Sequence, residues 1–335
     1  MRSRTAATNL ARMVSASNPR KPARLTIAES FGLLPLRERL SDLKLAIGGD
    51  ASTPKARWDT SSLKIFRPAL AVKLWSGRAA QGRSIPIFNL YNHRQTPPEL
   101  GWSVRVSQVE DFRGQKLTYD SHNGTDFAIP PGTLVVAPAP ARVLRISSEF
   151  NRGGLKVFLD HGKGLITTSN HLGRALVSVG DLVRRGQPIA LSGYSGIDGL
   201  ITFPWGAPHV HFNVWLDGEY VDPFARPGET SLWRNGNWPR PHPSPETMDD
   251  FEPTSWDHGE LARALRTCLS EPARSEILSF DRDFERACAL LFHRNYYPTR
   301  FSERTHLYPA QHSRVSWLDL PFSALDYDGI CFPPA

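Results

Sequence analysis

The sequence predicts a mainly β core, an antiparallel sandwich or barrel over residues 102–228, set between a mixed N-terminal extension and an α-helical C-terminal region. Two observations predict it. Between 102 and 228 the chain breaks into short β-rich runs, "GTLVVAPAPARVLRIS", "LKVFLDHGKGLITTS", "LVSVGDLVRRGQPIALSG" and "HVHFNVWLDGEYVDP", punctuated by glycine and proline at hairpin-like intervals. On either side, apolar residues recur at the helical spacings of three and four instead. At 335 residues the chain exceeds a typical domain of about 100–200, so flanking segments are expected.

Taken in order, residues 1–25 read as a basic mobile tail: Arg2, Arg4, Arg12, Arg20, Lys21 and Arg24 precede the first acidic residue, Glu29. The tail lacks the continuous apolar segment of a secretory signal, and its Arg- and Ser-rich composition also fits an organellar transit peptide. Residues 26–101 read as a mixed extension. Ile27–Ile47 is predicted as one helix with Leu36, Leu40, Leu43 and Ile47 on one face and Pro35 near its start, followed by short strands and loops. The core covers 102–228, where Val177, Val179 and Leu182 illustrate the alternation. Residues 229–335 begin as the loop "WRNGNWPRPHPSPE" and turn helical, with Leu261, Leu265, Cys268 and Leu269 on one face. A second amphipathic stretch follows through Ile277, Phe280, Phe284, Cys288 and Leu291, and the last forty residues are expected to pack over other parts of the protein.

A net charge of +7 and a pI near 9.5 favour anionic partners. With no block of five or six like charges and no nucleic-acid-binding signature, the charge reads as a basic solvated surface, not a nucleic-acid site. No run of 18 apolar residues occurs, so no membrane span is predicted. Cys268, Cys288 and Cys331 form no CxxC pair; they read as core thiols, and one disulfide beside one free thiol is also compatible.

The chemistry lies in two spacings. "SHNGTDF" sets His122 and Asp126 in an HxxxD arrangement, and "PHVHF" sets His209 and His211 one residue apart. In a strand the two histidines point the same way, with Cα atoms about 6.6 Å apart. A borderline cation such as Zn²⁺ accepts imidazole nitrogen and carboxylate oxygen, and catalytic sites offer three protein ligands, so His122, Asp126 and one histidine of the pair make such a set. Either motif alone is commonly chance. A third element between them, "SNHLG" with His171, reads in isolation as an ordinary surface histidine. Neither HExxH nor GxSxG occurs, which disfavours zincin-like and α/β-hydrolase readings.

Residues 102–226 resemble the lysostaphin/LytM-type zinc metallopeptidases, which cleave peptides of bacterial peptidoglycan; the blocks "HNGTDFAIPPGTLVVAPAPARV", "DHGKGLITTSNHL", "VSVGDLVRRGQPIALSGYSG" and "PHVHFNVWLDGEYVDP" follow the family's order. The resemblance implies a duplicated-hybrid-motif β fold and one zinc ion held by His122, Asp126 and His211. It also implies His171 and His209 as catalytic residues flanking the attacking water, and peptidoglycan stem or bridge peptides as substrate. It places the activity in the cell envelope, periplasm or exterior. Three departures stand out. Ser169 replaces a tyrosine two residues before the HL histidine, the loop "IDGLITFPWGA" is enlarged so that Phe203, Pro204 and Trp205 are candidates for a cleft wall, and Asn213 stands where an acidic residue is common. The alternatives are a non-catalytic regulator or binder of cell-wall hydrolases and a biotinyl/lipoyl carrier hairpin at "VSVGDLVRRGQPIA". The regulator reading is disfavoured because every ligand position is filled. The carrier reading lacks the lysine beside methionine, since the methionines are Met1, Met13 and Met248.

Overall fold

The computed structural model describes residues 20–50, 52–243, 251–303, 307–308 and 311–333, so most of the expected basic tail lies outside the described residues. Eleven described strands form one mostly antiparallel sheet: β1 (Ser84–Asn89), β2 (Thr125–Ala128), β3 (Leu134–Val136), β4 (Ala141–Glu149), β5 (Gly154–Asp160), β6 (Leu165–Ala175), β7 (Leu182–Val183), β8 (Pro188–Ser192), β9 (His209–Leu216), β10 (Glu219–Tyr220) and β11 (Gly329–Cys331). The order is β11-β1-β2-β9-β6-β5-β4-β7, with β10 on β9 and β3 joined through β8 to β6. The β1–β11 pairing is parallel and the other pairings of these strands are antiparallel. Both flanking regions thus feed strands into the sheet that carries the central segment.

Period-two alternation sorts the sheet's side chains onto two faces. One face contributes Val143, Val157, Leu159, Val210, Phe212 and Val214 to a core closed by Phe224, Trp233, Leu318, Phe322 and Ile330. The other contributes Leu144, Phe158, Ile166 and Trp215 to a second core. Covering that second face are α5 (His258–Arg266), α6 (Glu271–Leu278) and α7 (Asp283–Tyr296). From these helices Leu261, Ile277, Cys288 and Leu291 are buried and Leu265 and Phe284 partly buried, joined by Cys268 and Phe280 from the turns that follow α5 and α6; Leu269, expected on the same face, is exposed. The stretch carrying Ile277 to Leu291 is two helices, not one, since the chain turns at Ser279–Arg282. The final residues do pack over other parts, through Leu318, Leu320, Phe322 and Ile330. All three cysteines are free thiols, Cys268 and Cys288 buried.

At the N-terminal side the expected single helix is also two: α1 (Ile27–Phe31) and α2 (Leu36–Gly48). Thr26 and Glu29 form a capping box that starts α1, and Gly32, in the left-handed conformation at φ 65°, ends it. The predicted apolar face of α2 is not its buried face. Leu36, Leu40 and Ile47 are more than half exposed, whereas Arg39 is buried and donates to Leu34 O and Ser148 Oγ, and Asp42 accepts from the Phe150 N–H. Polar anchors, not the leucine spacing, set how α2 docks. The remaining described helices are α3 (Pro68–Trp75), packed at Ala71 and Leu74 on Phe88 and Ala128, and α4 (Ile197–Thr202). Among the described residues no helix is long and apolar enough to cross a membrane.

Candidate metal centre

Strands β2 and β9 build the centre. Asp126 lies directly opposite His211 and Ala128 opposite His209 in the antiparallel register, and such pairs bring Cβ atoms to about 4.5–5.5 Å. On β9, Val210, Phe212 and Val214 enter the first core, which sends His209, His211, Asn213 and Trp215 to the opposite face. The expectation that both histidines point the same way therefore matches their placement. His122 arrives from the turn before β2, where its ring joins the pair.

The three candidate ligand atoms form a small triangle. His122 Nε2 stands 3.1 Å from His211 Nδ1 and 3.1 Å from Asp126 Oδ1, and His211 Nδ1 is 2.8 Å from that oxygen. All three residues are buried, and they are the one group among the described residues with metal-ligating proximity. A tetrahedral zinc ion with bonds of about 2.0–2.1 Å sets its donors about 3.3–3.4 Å apart, so two imidazole nitrogens and one carboxylate oxygen at these separations fit such an ion after shifts of a few tenths of an ångström. Protonation favours it too. Burial alone would push the Asp126 carboxyl up, but His122 and His209 beside it, with hydrogen bonds from His122 and His211, hold it well below the usual carboxylate range. Burial lowers the His211 ring below the ordinary histidine value, with Asp126 opposing. An ionised carboxylate and a neutral imidazole are the forms that bind metal.

Outer contacts orient these candidate ligands. Asn89 donates to Asp126 Oδ2 at 2.8 Å, and His122 Nδ1 lies 2.6 Å from Leu90 O. Both contacts come from β1 and the residue after it, in the stretch the sequence predicts as short strands and loops. On its far side His211 Nε2 faces Asn123 Oδ1 at 3.2 Å and the Asn213 amide nitrogen at 2.9 Å.

His171 and His209 sit side by side next to the triangle, with ring centroids 4.9 Å apart, and His209 Nε2 is 3.6 Å from Asp126 Oδ1. Each turns Nδ1 to a backbone carbonyl, His209 to Ala207 O and His171 to Ser195 O, both at 2.8 Å. Donation from Nδ1 leaves each Nε2 as the nitrogen able to accept a proton. Burial, then the proximity of His209, pushes the His171 pKa well below its ordinary value. His171 is no surface residue: it lies within β6 at φ 58°, an unusual conformation for a residue other than glycine. At this point β6 leaves β9, its last partner there being Asn170 opposite His211, and takes up β8 from Leu172 onward. The local bulge sends Leu172 into the first core while Asn170 and His171 both serve the site.

Tyr194 packs beside the two rings, its centroid 5.0 Å from that of His209 and 5.6 Å from that of His171. Phe203, from the enlarged loop, packs on Phe31 and Trp75, and Trp75 in turn lies against Tyr194. Trp205 is largely exposed. The sequence reading missed Asn89, Asn123, Asn170 and Tyr194. Asn123, adjacent to His122, Asn170, adjacent to His171, and Tyr194, inside a quoted block, carried a local signal, and Asn89 carried none.

Residues 120–223 match the family model described as Peptidase family M23. This segment is a peptidase family M23 domain. The chain is 36% identical over 112 residues to an uncharacterized metalloprotease of Haemophilus influenzae, covering 33% of this chain and 22% of that protein. It is 38% identical over 101 residues to the peptidoglycan DD-endopeptidase ShyB of Vibrio cholerae, covering 30% and 22%. To the murein hydrolase activator EnvC of Escherichia coli it is 36% identical over 123 residues, covering 36% and 27%. The chain thus spans about a quarter of the length of these relatives. The matched segment 120–223 holds all five candidate site residues.

Proposed function

We propose that this chain is a zinc-dependent metalloendopeptidase that hydrolyses peptide bonds in the stem or cross-bridge peptides of peptidoglycan, in the cell envelope. The observation that carries this reading is the buried triangle of His122, Asp126 and His211 with two further imidazoles beside it. Zinc held by those three residues supplies a Lewis acid that polarises the scissile carbonyl and makes water a nucleophile near neutral pH.

The chain's own groups do the rest. His171, kept neutral by burial, accepts at Nε2 a proton from the attacking water. His209, 3.6 Å from the Asp126 carboxylate, presents the same accepting Nε2 and orients the attacking water, while the proton taken up by His171 passes on to the departing amine and returns that ring to its neutral form. The carbonyls of Ser195 and Ala207 hold the two rings in the orientation and tautomer this requires. Peptidoglycan is favoured as substrate because ShyB is named a peptidoglycan DD-endopeptidase.

A second reading, a non-catalytic binder or regulator of cell-wall hydrolases, is favoured by the similarity to EnvC, named a murein hydrolase activator. One experiment separates them: purified cross-linked muropeptides are incubated with wild type and His211→Ala and read by mass spectrometry, with zinc content measured in parallel. Zinc and cleavage in the wild type, with both lost in the variant, is the expected result. Tight wall binding without cleavage would establish the regulator instead.

A further inference from the structure

We propose that Tyr296, the last residue of α7, is a positioning residue for the candidate metal ligand His211, acting through the side-chain amides of Asn213 and Asn123. The inference rests on the metallopeptidase reading and extends it to a residue outside the M23 domain.

A histidine that binds a cation through Nδ1 carries its hydrogen on Nε2, and that N–H needs an acceptor which fixes the ring. The acceptor facing His211 Nε2 is Asn123 Oδ1 at 3.2 Å. Asn213 also crowds this nitrogen, with its amide nitrogen 2.9 Å away, and so offers a donor where an acceptor is wanted. Its orientation is set elsewhere. Asn213 Oδ1 accepts from Asn170 Nδ2 at 2.9 Å, from the Tyr296 hydroxyl at 3.1 Å and from Thr168 Oγ1 at 3.3 Å. Asn213 Nδ2 donates to Asn123 O at 2.9 Å and Asn123 Oδ1 at 3.0 Å. Turning the Asn213 amide over would set its oxygen against both Asn123 oxygens.

The network therefore runs one way. Tyr296 and its neighbours draw the Asn213 oxygen outward, the Asn213 nitrogen holds Asn123, and Asn123 receives the His211 Nε2–H, leaving Nδ1 turned towards Asp126 and His122. Asn170, Asn213 and His211 are all buried, so bulk water is poorly placed to replace a lost donor. The helix reaches the site because α7 lies over the sheet face that carries His211, Asn213 and Trp215: the Tyr296 ring packs 6.2 Å from that of Trp215 and 4.9 Å from that of Phe292. Tyr297 supplies an internal control, since its hydroxyl donates to Asn151 Oδ1 at 3.1 Å.

The test uses the full chain as wild type, Tyr296→Phe, Tyr297→Phe, Asn123→Ala and the Asn123→Ala/Tyr296→Phe double variant. Zn²⁺ affinity is measured by competition with a chromophoric chelator, the visible absorption of the Co²⁺-loaded protein is recorded, and unfolding of the metal-free protein is followed by circular dichroism. Tyr296→Phe is expected to weaken Zn²⁺ binding about tenfold and to shift the Co²⁺ bands, while the metal-free protein loses no more stability than Tyr297→Phe, which also gives up one hydroxyl contact and binds Zn²⁺ normally. In the Asn123→Ala background the Tyr296 effect disappears, because the relay is already cut. Unchanged affinity in Tyr296→Phe, an equal loss in Tyr297→Phe, or full additivity with Asn123→Ala overturns the proposal while leaving the metallopeptidase reading intact. Failure of the wild type to bind Zn²⁺ overturns both.

Discussion

His171 joins backbone and chemistry at one position: a left-handed φ of 58° inside a strand places its imidazole beside His209 and leaves Leu172 in the core. Because it is assigned proton transfer and not metal binding, His171→Gln is expected to keep stoichiometric zinc yet to lower muropeptide cleavage by roughly 10²–10⁴. Metal analysis beside a turnover assay separates the two roles. Asn89 is expected to behave oppositely. Its amide supports Asp126 Oδ2, so Asn89→Ala should weaken zinc binding by roughly 10–100-fold in a chelator titration. His161 lies away from the triangle, against Pro140 O and Thr167 Oγ1, and burial lowers its pKa to about 4. The unfolded chain binds that proton near pH 6.5 and the native chain near 4, so stability is fully present above about 6.5 and falls as pH drops towards 4, by a total of roughly 3 kcal/mol. Urea melts across that range should show the fall, and His161→Gln should flatten it.

At the scale of elements, the β2–β9 register decides whether a site exists at all. A slip of one residue would send His209 and His211 into the core and Val210 and Phe212 into the site. The alternation of "HVHFNVW" was legible because a strand's period needs only local sequence. The bulge in β6 was not, because it depends on where β6 exchanges β9 for β8 as partner. Helix breaks escape the pattern for a related reason: spacing of three and four runs through Ile277, Phe280 and Phe284 although the chain turns at Ser279–Arg282, and at Gly32–Pro35 the turn separates α1 from a spacing that begins only at Leu36. Gly154, at φ 60°, illustrates how tightly the β4–β5 hairpin meets the loop behind His171, since a Cβ there would lie 2.3 Å from Ser195 O. Gly154→Ala is expected to destabilise the fold by more than about 1 kcal/mol and to move the carbonyl that orients His171. Thermal unfolding reports the first effect, and the loss of cleavage with zinc retained reports the second.

Across the whole molecule, one sheet separates two cores, and the regions flanking the M23 domain complete both. β1 supplies outer contacts to Asp126 and His122, residues 317–332 close the first core, and α5 to α7 bury Trp215 and Phe158 in the second. Leu291→Ala on α7 is accordingly expected to cost roughly 2–5 kcal/mol of the stability of the entire chain, read as one cooperative denaturant transition. Separate transitions for the helices and the sheet would contradict that coupling. By itself the sequence determined the donor types, the strand alternation that aligns the histidine pair and the apolar stripes of the C-terminal helices, all properties carried within a few residues. Only the tertiary structure decided that Asn89, Tyr194 and Tyr296 stand around those histidines, that the leucines of α2 face outward and that His171 turns inward. Each of these depends on contacts between segments far apart in the chain, and nothing in the local pattern encodes which segments will meet.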